Sequence, residues 1–133
     1  MTSGEHDLAV LLASMRPELV DGEFVFVTTD SVPPGLQPHA MVVEDEGMSL
    51  LVTRQQAEER GWAFDFVAAW ITLRVHSALD SVGLTAAVSA ALAEEGITCN
   101  VVAGRFHDHL LVPWERSSDA VRALAALSAR GPG

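Results

Sequence analysis

The run His107-Asp108-His109 holds the densest set of chemically versatile side chains in this 133-residue chain. On an extended backbone His107 and His109 point to one side, where two imidazoles could share a divalent metal or a substrate carboxylate. A structural metal site usually draws about four donors from two close pairs. The second pair is missing here, since Cys99 stands alone and His6, His39 and His76 are isolated in sequence. No metal or other cofactor is therefore expected, and these histidines either shape a hairpin by hydrogen bonding or touch a ligand. A second group lies between His76 and Thr85, where Ser77 and Asp80 accompany the histidine. A serine, a histidine and a carboxylate are the parts of a hydrolase, but no Gly-x-Ser-x-Gly surrounds Ser77 or Ser81 to expose a nucleophile. A phosphate loop of the Gly-x-x-x-x-Gly-Lys type would need a lysine, and the chain has none.

What the His76–Thr85 stretch does offer is a helix start. The backbone N–H groups of Val82, Gly83, Leu84 and Thr85 lack partners within a helix beginning there, and such a terminus attracts a carboxylate or phosphate. Gly83 would let a ligand approach the backbone closely. The alternative is purely structural: Ser81 caps the helix, Gly83 relieves crowding and water fills the space. Asn100 is the remaining candidate, because a mid-strand amide needs a partner in a neighbouring loop or on a ligand.

Periodicity supplies the elements that position these residues. Trp70 to His76 alternate, with Ile71, Leu73 and Val75 facing a core, which predicts a strand with one buried face. Leu84, Ala87, Val88, Ala91 and Leu92 recur at helical spacing. Asp80 or Ser81 is the expected cap and Gly96 the expected stop. Ile97 to Val102 and His109 to Val112 predict a hairpin, and Ala120, Val121, Leu124 and Leu127 a closing helix. Upstream, Leu8, Leu11, Leu12 and Met15 share a helical face, and Glu23 to Thr29 reads as a strand. His39 to Glu44 and Met48 to Val52 flank a turn at Asp45-Glu46-Gly47, and Arg54 to Arg60 forms a short helix closed by Gly61. Trp62 to Val67 is expected to be extended and to run almost continuously into the next strand.

The combination Gly83-Leu84-Thr85-Ala86-Ala87, Gly96-Ile97-Thr98-Cys99-Asn100-Val101-Val102 and His107-Asp108-His109-Leu110-Leu111-Val112-Pro113 resembles bacterial proteins with two tandem ACT domains, a group largely lacking an assigned function. The resemblance covers most of the chain and is strongest over residues 68–113. It implies an α+β fold of two ferredoxin-like (βαββαβ) modules, antiparallel sheets with helices on one face. The halves repeat as strand, connection, strand, turn, strand, helix, with one module in residues 1–67 and the other in 68–133. In the first copy Pro33, Pro34 and Pro38 leave no room for a regular first helix, so the helix at Leu8–Met15 is expected to cover that module's sheet. In the second the chain leaves little for a final strand. The resemblance also implies a small effector bound between paired domains, with the Ser77–Thr85 loop at the effector position.

Composition sets the remaining bounds. An apolar fraction of 49% supports a real core, and 18 acidic against 8 basic residues give a net charge of −10, which argues against a nucleic-acid partner. One cysteine excludes an intrachain disulfide and suits a reducing compartment. Without a signal-like N-terminus or a membrane-length apolar run, a cytoplasmic location is expected. Trp62, Trp70 and Trp114 read as core or dimer-interface anchors, and a homodimer is expected. The combined expectation is a non-catalytic regulatory protein that binds an amino acid through His76, Ser77, Asp80, Val82, Gly83, Leu84, Thr85, Asn100, Val101, His107 and His109. Replacing Gly83 by a bulky residue is expected to abolish binding and spare the fold. The alternatives are a protein-interaction module without a ligand, or a metal-dependent or general acid/base enzyme built on His107, Asp108 and His109.

Overall fold

A computed structural model describes residues 4–130. Its contacts divide the chain into two compact units: an inserted unit, Asp21–Ala68, and a split unit made of the segments up to Val20 and from Ala69 onward.

The inserted unit carries strands in the order β2-β3-β1, where β2 is Ala40–Glu44, β3 is Gly47–Thr53 and β1 is Pro17–Thr29, of which Asp21–Thr29 belongs here. Both pairings are antiparallel, with Val25 opposite Val52 and Val42 opposite Ser49. The expected Asp-Glu-Gly turn joins β2 to β3. Helix α2 (Arg54–Glu59) starts at a complete capping box, Thr53 and Gln56 each bonding the other's backbone N–H. Val25, Val27, Leu50, Val52 and Ala57 form its core, and Val32, Trp62, Phe64 and Val67 pack against them. Trp62 to Val67 therefore make apolar contacts without entering a strand, contrary to the extended continuation expected of them.

The split unit has strand order β1-β4-β6-β5, with β4 at Ala68–Leu73, β6 at Asp108–Pro113 and β5 at Asn100–Ala103. Helices α1 (Leu8–Ser14), α3 (Leu84–Glu94) and α4 (Ser117–Arg130) complete it, with one 3-10 turn at Trp114–Arg116. Read from β4 the order is strand, helix, two hairpin strands, helix. Beside β4 lies β1, whose residues Pro17–Val20 belong to this unit and come from upstream in the chain. This is the ferredoxin-like arrangement with its last strand contributed from upstream.

Ala69, Ile71 and Leu73 of β4, with Leu110 and Val112 of β6, point into one core beneath Leu84, Val88, Ala91 and Leu92 of α3 and Leu124 and Leu127 of α4. Leu11, Leu12 and Met15 enter the same core. Helix α1 thus covers the C-terminal module and not the proline-rich first one. Ser128 Oγ donates to the carbonyls of Leu12 and Met15 at 2.7 and 3.2 Å, satisfying groups that α1 leaves open at its end. Strand β4 stops at Leu73, three residues short of the expected end, and is buried on both faces, since Trp70 and Thr72 are also covered. Helix α3 ends at Gly96 as its sequence predicts. Arg116 donates to the Glu95 carbonyl at 3.0 Å, placing a cation at the terminus where Glu94 and Glu95 oppose the helix dipole.

Candidate functional site

A cleft of about 170 Å³ opens where the loop after β4 meets the start of α3 and the β5–β6 turn. Ser77, Ala78, Leu79 and Ser81 form one wall, Gly83, Leu84 and Thr85 the floor, and Ala103, Gly104 and Asp108 the other wall.

The loop is fixed from the N-terminal side. Glu5 N–H donates to the His76 carbonyl at 2.8 Å and Ala78 N–H donates to the Glu5 carbonyl at 2.9 Å. His6 Nε2 lies 2.7 Å from the Asp80 carboxylate. A Cβ on Gly4 would fall 2.4 Å from Ala78 N, so only glycine permits this approach. Asp80 is thereby occupied, and neither it nor Ser81 caps α3. The cap position is Gly83, at φ +106°, and no side chain bonds the first turn. The first bond within the helix is from Ala87 N–H to the Gly83 carbonyl, which leaves the N–H groups of Leu84, Thr85 and Ala86 without helical partners. By contrast α1 is capped by Asp7, whose carboxylate accepts from Val10 N–H at 3.2 Å.

Opposite the helix start stands Asp108. Strand alternation puts it on the same face of β6 as the core residues Leu110 and Val112. Burial raises its carboxyl above the ordinary carboxylate range, and nearby His107 opposes this only in part. No hydrogen bond to Asp108's carboxylate is made among the described residues. The cleft therefore holds a half-buried anion acceptor for a cation on one wall and free N–H donors for an anion on its floor.

Four of the eleven sequence candidates, Ser77, Gly83, Leu84 and Thr85, come together in this lining. Asp80 is paired with His6, and Val82 is exposed beside the cleft. The His76 ring lies against Phe106 at a tilt of 48°, ring centroids 5.3 Å apart. Asn100 begins β5 opposite Leu111 with its side chain exposed, and Val101 packs on the core. His107 and His109 have ring centroids 6.5 Å apart. Neither lines the cleft: His109 Nδ1 lies 3.0 Å from Thr72 Oγ1, which accepts from Trp70 Nε1 at 3.0 Å. Asp108 was the residue to look for, because a carboxylate alternating in step with Leu110 and Val112 is out of place on an apolar face. Among the described residues no three His, Cys, Asp or Glu side chains form a group suited to a metal ion.

Burial, then His107 and Arg74, hold the His109 imidazole below the ordinary histidine value. A depressed histidine contributes stability above its unfolded value near 6.5, and this is lost as pH falls through the lower folded value. Urea unfolding of His109→Gln is accordingly expected to show a shallower loss of stability below about pH 6.5 than the unsubstituted protein. Parallel slopes in the two proteins would refute the assignment.

The ACT domain family matches residues 3–69 and again residues 66–126. The chain belongs to the ACT-domain family, with two such domains in tandem. A Vibrio cholerae protein of unknown function, described as a possible transport protein, is 40% identical, with a TM-score of 0.82 over 91% of this chain and 95% of its own. An Agrobacterium tumefaciens protein superposes at TM-score 0.68 and 19% identity over 86% of this chain and 89% of its own. The regulatory subunit of aspartate kinase from Thermus thermophilus does so at 0.58 and 12% identity, over 84% and 95%. Nothing among curated proteins matches. The ACT assignment agrees with the sheet order and one-sided helices of the split unit and supports a regulatory, ligand-binding class of function. No helix among the described residues is long and apolar enough to cross a membrane.

Proposed function

We propose that this ACT-domain protein is a non-catalytic, cytoplasmic regulator whose split unit binds a free amino acid in the cleft at the start of α3. The observation that carries this reading is the pairing of opposite preferences across about 170 Å³. The uncapped N–H groups of Leu84, Thr85 and Ala86 suit a carboxylate, and the unbonded Asp108 carboxylate suits an ammonium group. A zwitterion satisfies both at once. Ser77 and Ser81 add hydroxyls, and Leu79, largely exposed at the rim, offers an apolar neighbour to a small side chain. The aspartate kinase regulatory subunit shares this fold, which supports a regulatory role.

Thermal unfolding of chelator-treated protein against the twenty amino acids tests the reading. At 100 times its dissociation constant a ligand adds about 2.7 kcal/mol and moves the midpoint by roughly 5–15 °C. A selective shift with one or a few amino acids is expected; no shift with any of them would refute the assignment and favour an interaction module. Gly83 is a poor position for the companion substitution: its φ is +106° and a Cβ there would lie 3.0 Å from Leu8 Cδ2, so a larger residue would strain the fold as well as fill the cleft. Asp108 is the informative position.

A further inference from the structure

Among the described residues, Gly4 to His6 bond beyond their own segment to one place, the loop that walls the cleft. Glu5 forms a parallel bridge with Ser77 through the two backbone bonds to His76 and Ala78, and His6 reaches Asp80. Just beyond, Leu8 lies against Gly83, the cap of α3 on the cleft floor, where a Cβ would meet Leu8 Cδ2 at 3.0 Å. The chain from Gly4 to Leu8 therefore supports both the wall and the floor without lining the cleft itself. It is also lightly held at its start. Glu5, His6 and Asp7 are exposed, and water screens most of the attraction between His6 and Asp80. Two backbone bonds and a surface ion pair contribute about as much as ordering a few residues costs. Helix α1 has no such balance, because Leu11, Leu12 and Met15 are buried in the core and Ser128 holds its end. Asp7, the cap of α1, is thus the joint between a fixed helix and a strap, Gly4–His6, that is not tied to the core.

We propose that docking of this strap is coupled to occupancy of the α3 cleft, so that a bound ligand is read out as a closed strap and an empty cleft as a releasable one. The coupling rests on the amino-acid reading of the cleft. Release of the strap frees the His76 carbonyl and the Ala78 N–H. The loop then keeps only short-range backbone bonds, from Ser77 N–H to the Val75 carbonyl and from Ser81 N–H to the Ala78 carbonyl. A ligand that reaches from Asp108 to the N–H groups of Leu84, Thr85 and Ala86 also meets the Ser77–Ser81 wall, and it meets that wall in place only while the strap is docked. The docked state therefore binds more tightly, and by reciprocity binding favours docking by the same factor. A regulator needs an output, and here occupancy is carried to an exposed segment while the core stays as it is.

Amide exchange resolved by NMR, with an equimolar mixture of the twenty amino acids as the probe, tests this on the full chain. The reporter is the Glu5 amide, which the strap contributes and which lies outside the cleft lining. The mixture is expected to slow its exchange about 5- to 150-fold. Gly4→Val, whose Cβ would fall 2.4 Å from Ala78 N, holds the strap open, and Glu5→Pro removes the N–H itself. Both variants leave the buried anchors of α1 in place and are expected to keep the melting transition of the core. In each, the half-effect concentration of the mixture is expected to rise by the factor by which the mixture slows Glu5 exchange in the unsubstituted protein, within about threefold. A strap that only shapes the loop gives no such equality. A melting shift with the mixture but unchanged Glu5 exchange, or a folded variant that binds the mixture as tightly as the original, would overturn the coupling and leave the amino-acid reading standing. No melting shift in the unsubstituted protein would remove both.

Discussion

An Asp108→Asn variant is expected to bind the amino-acid effector about 30- to 1,000-fold more weakly while remaining folded. The carboxylate is half-buried and makes no hydrogen bond among the described residues, so an arriving ammonium group gains a charge-assisted contact that asparagine cannot supply. Removing one side of such a pair costs about 2–4 kcal/mol when the site is partly desolvated, which gives the stated range. The ligand-free protein should respond in the opposite sense. Asp108 has a folded pKa above its unfolded one, so its contribution to stability is fully present at low pH and is lost as pH rises through the folded value. At pH 7 the ionised side chain therefore opposes folding, by less than about 1 kcal/mol because water still reaches it. The amide of the variant stays neutral at every pH. The variant's unfolding midpoint is expected to equal or slightly exceed the original at pH 7, and the difference to vanish below the ordinary carboxylate range. Calorimetric titration and paired melts at pH 7 and about pH 3 measure both arms. Undiminished affinity would show that Asp108 does not meet the ammonium group. Lower stability at pH 7 would show that it is bonded in the ligand-free protein.

That residue also shows where sequence reading gains and loses its grip. Local period is strong evidence, and it found β4, β6, α3 and α4, because the same side chains that repeat at two or 3.6 residues are those now buried in one core. The two faces of one strand are harder to tell apart. A shift of one residue exchanges them, and His107 and His109 are expected at the ligand while Asp108 between them is weighed only for enzyme chemistry. Capping chemistry failed for a tertiary reason. Asp80 and Ser81 are good local caps, but Asp80 is drawn to His6 and the loop is held by Glu5, more than 70 residues upstream. Trp62, Phe64 and Val67 carry strand propensity because they fit a half-buried surface, and here they fill one without a ladder. The upstream origin of the split unit's last strand had no local signature at all: Pro17–Val20 carries no periodic signal of its neighbour β4.

The same long-range closure makes Leu12 the most sensitive point for stability. Helix α1 has seven residues, too few to persist alone, so its structure depends on what it buries. Leu12 is fully buried in the core formed by β4, β6, α3 and α4, and the end of α1 is held by Ser128 of α4. Leu12→Ala removes buried methyl groups and leaves a cavity that the flanking Leu11 and Met15, also buried, have little freedom to fill. A loss of about 2–5 kcal/mol is expected, or roughly 10–20 °C in the melting midpoint for a chain of this length. Where the loss falls is the sharper test. Amide exchange should accelerate along α3, α4, β4 and β6, the elements sharing that core, while the β2–β3 hairpin, built on the separate core around Val25 and Leu50, keeps its protection. Exchange that rose instead in β3 and α2 would place the helix over the first module, as the order of the sequence suggests, and would undo the division of the chain into an inserted and a split unit.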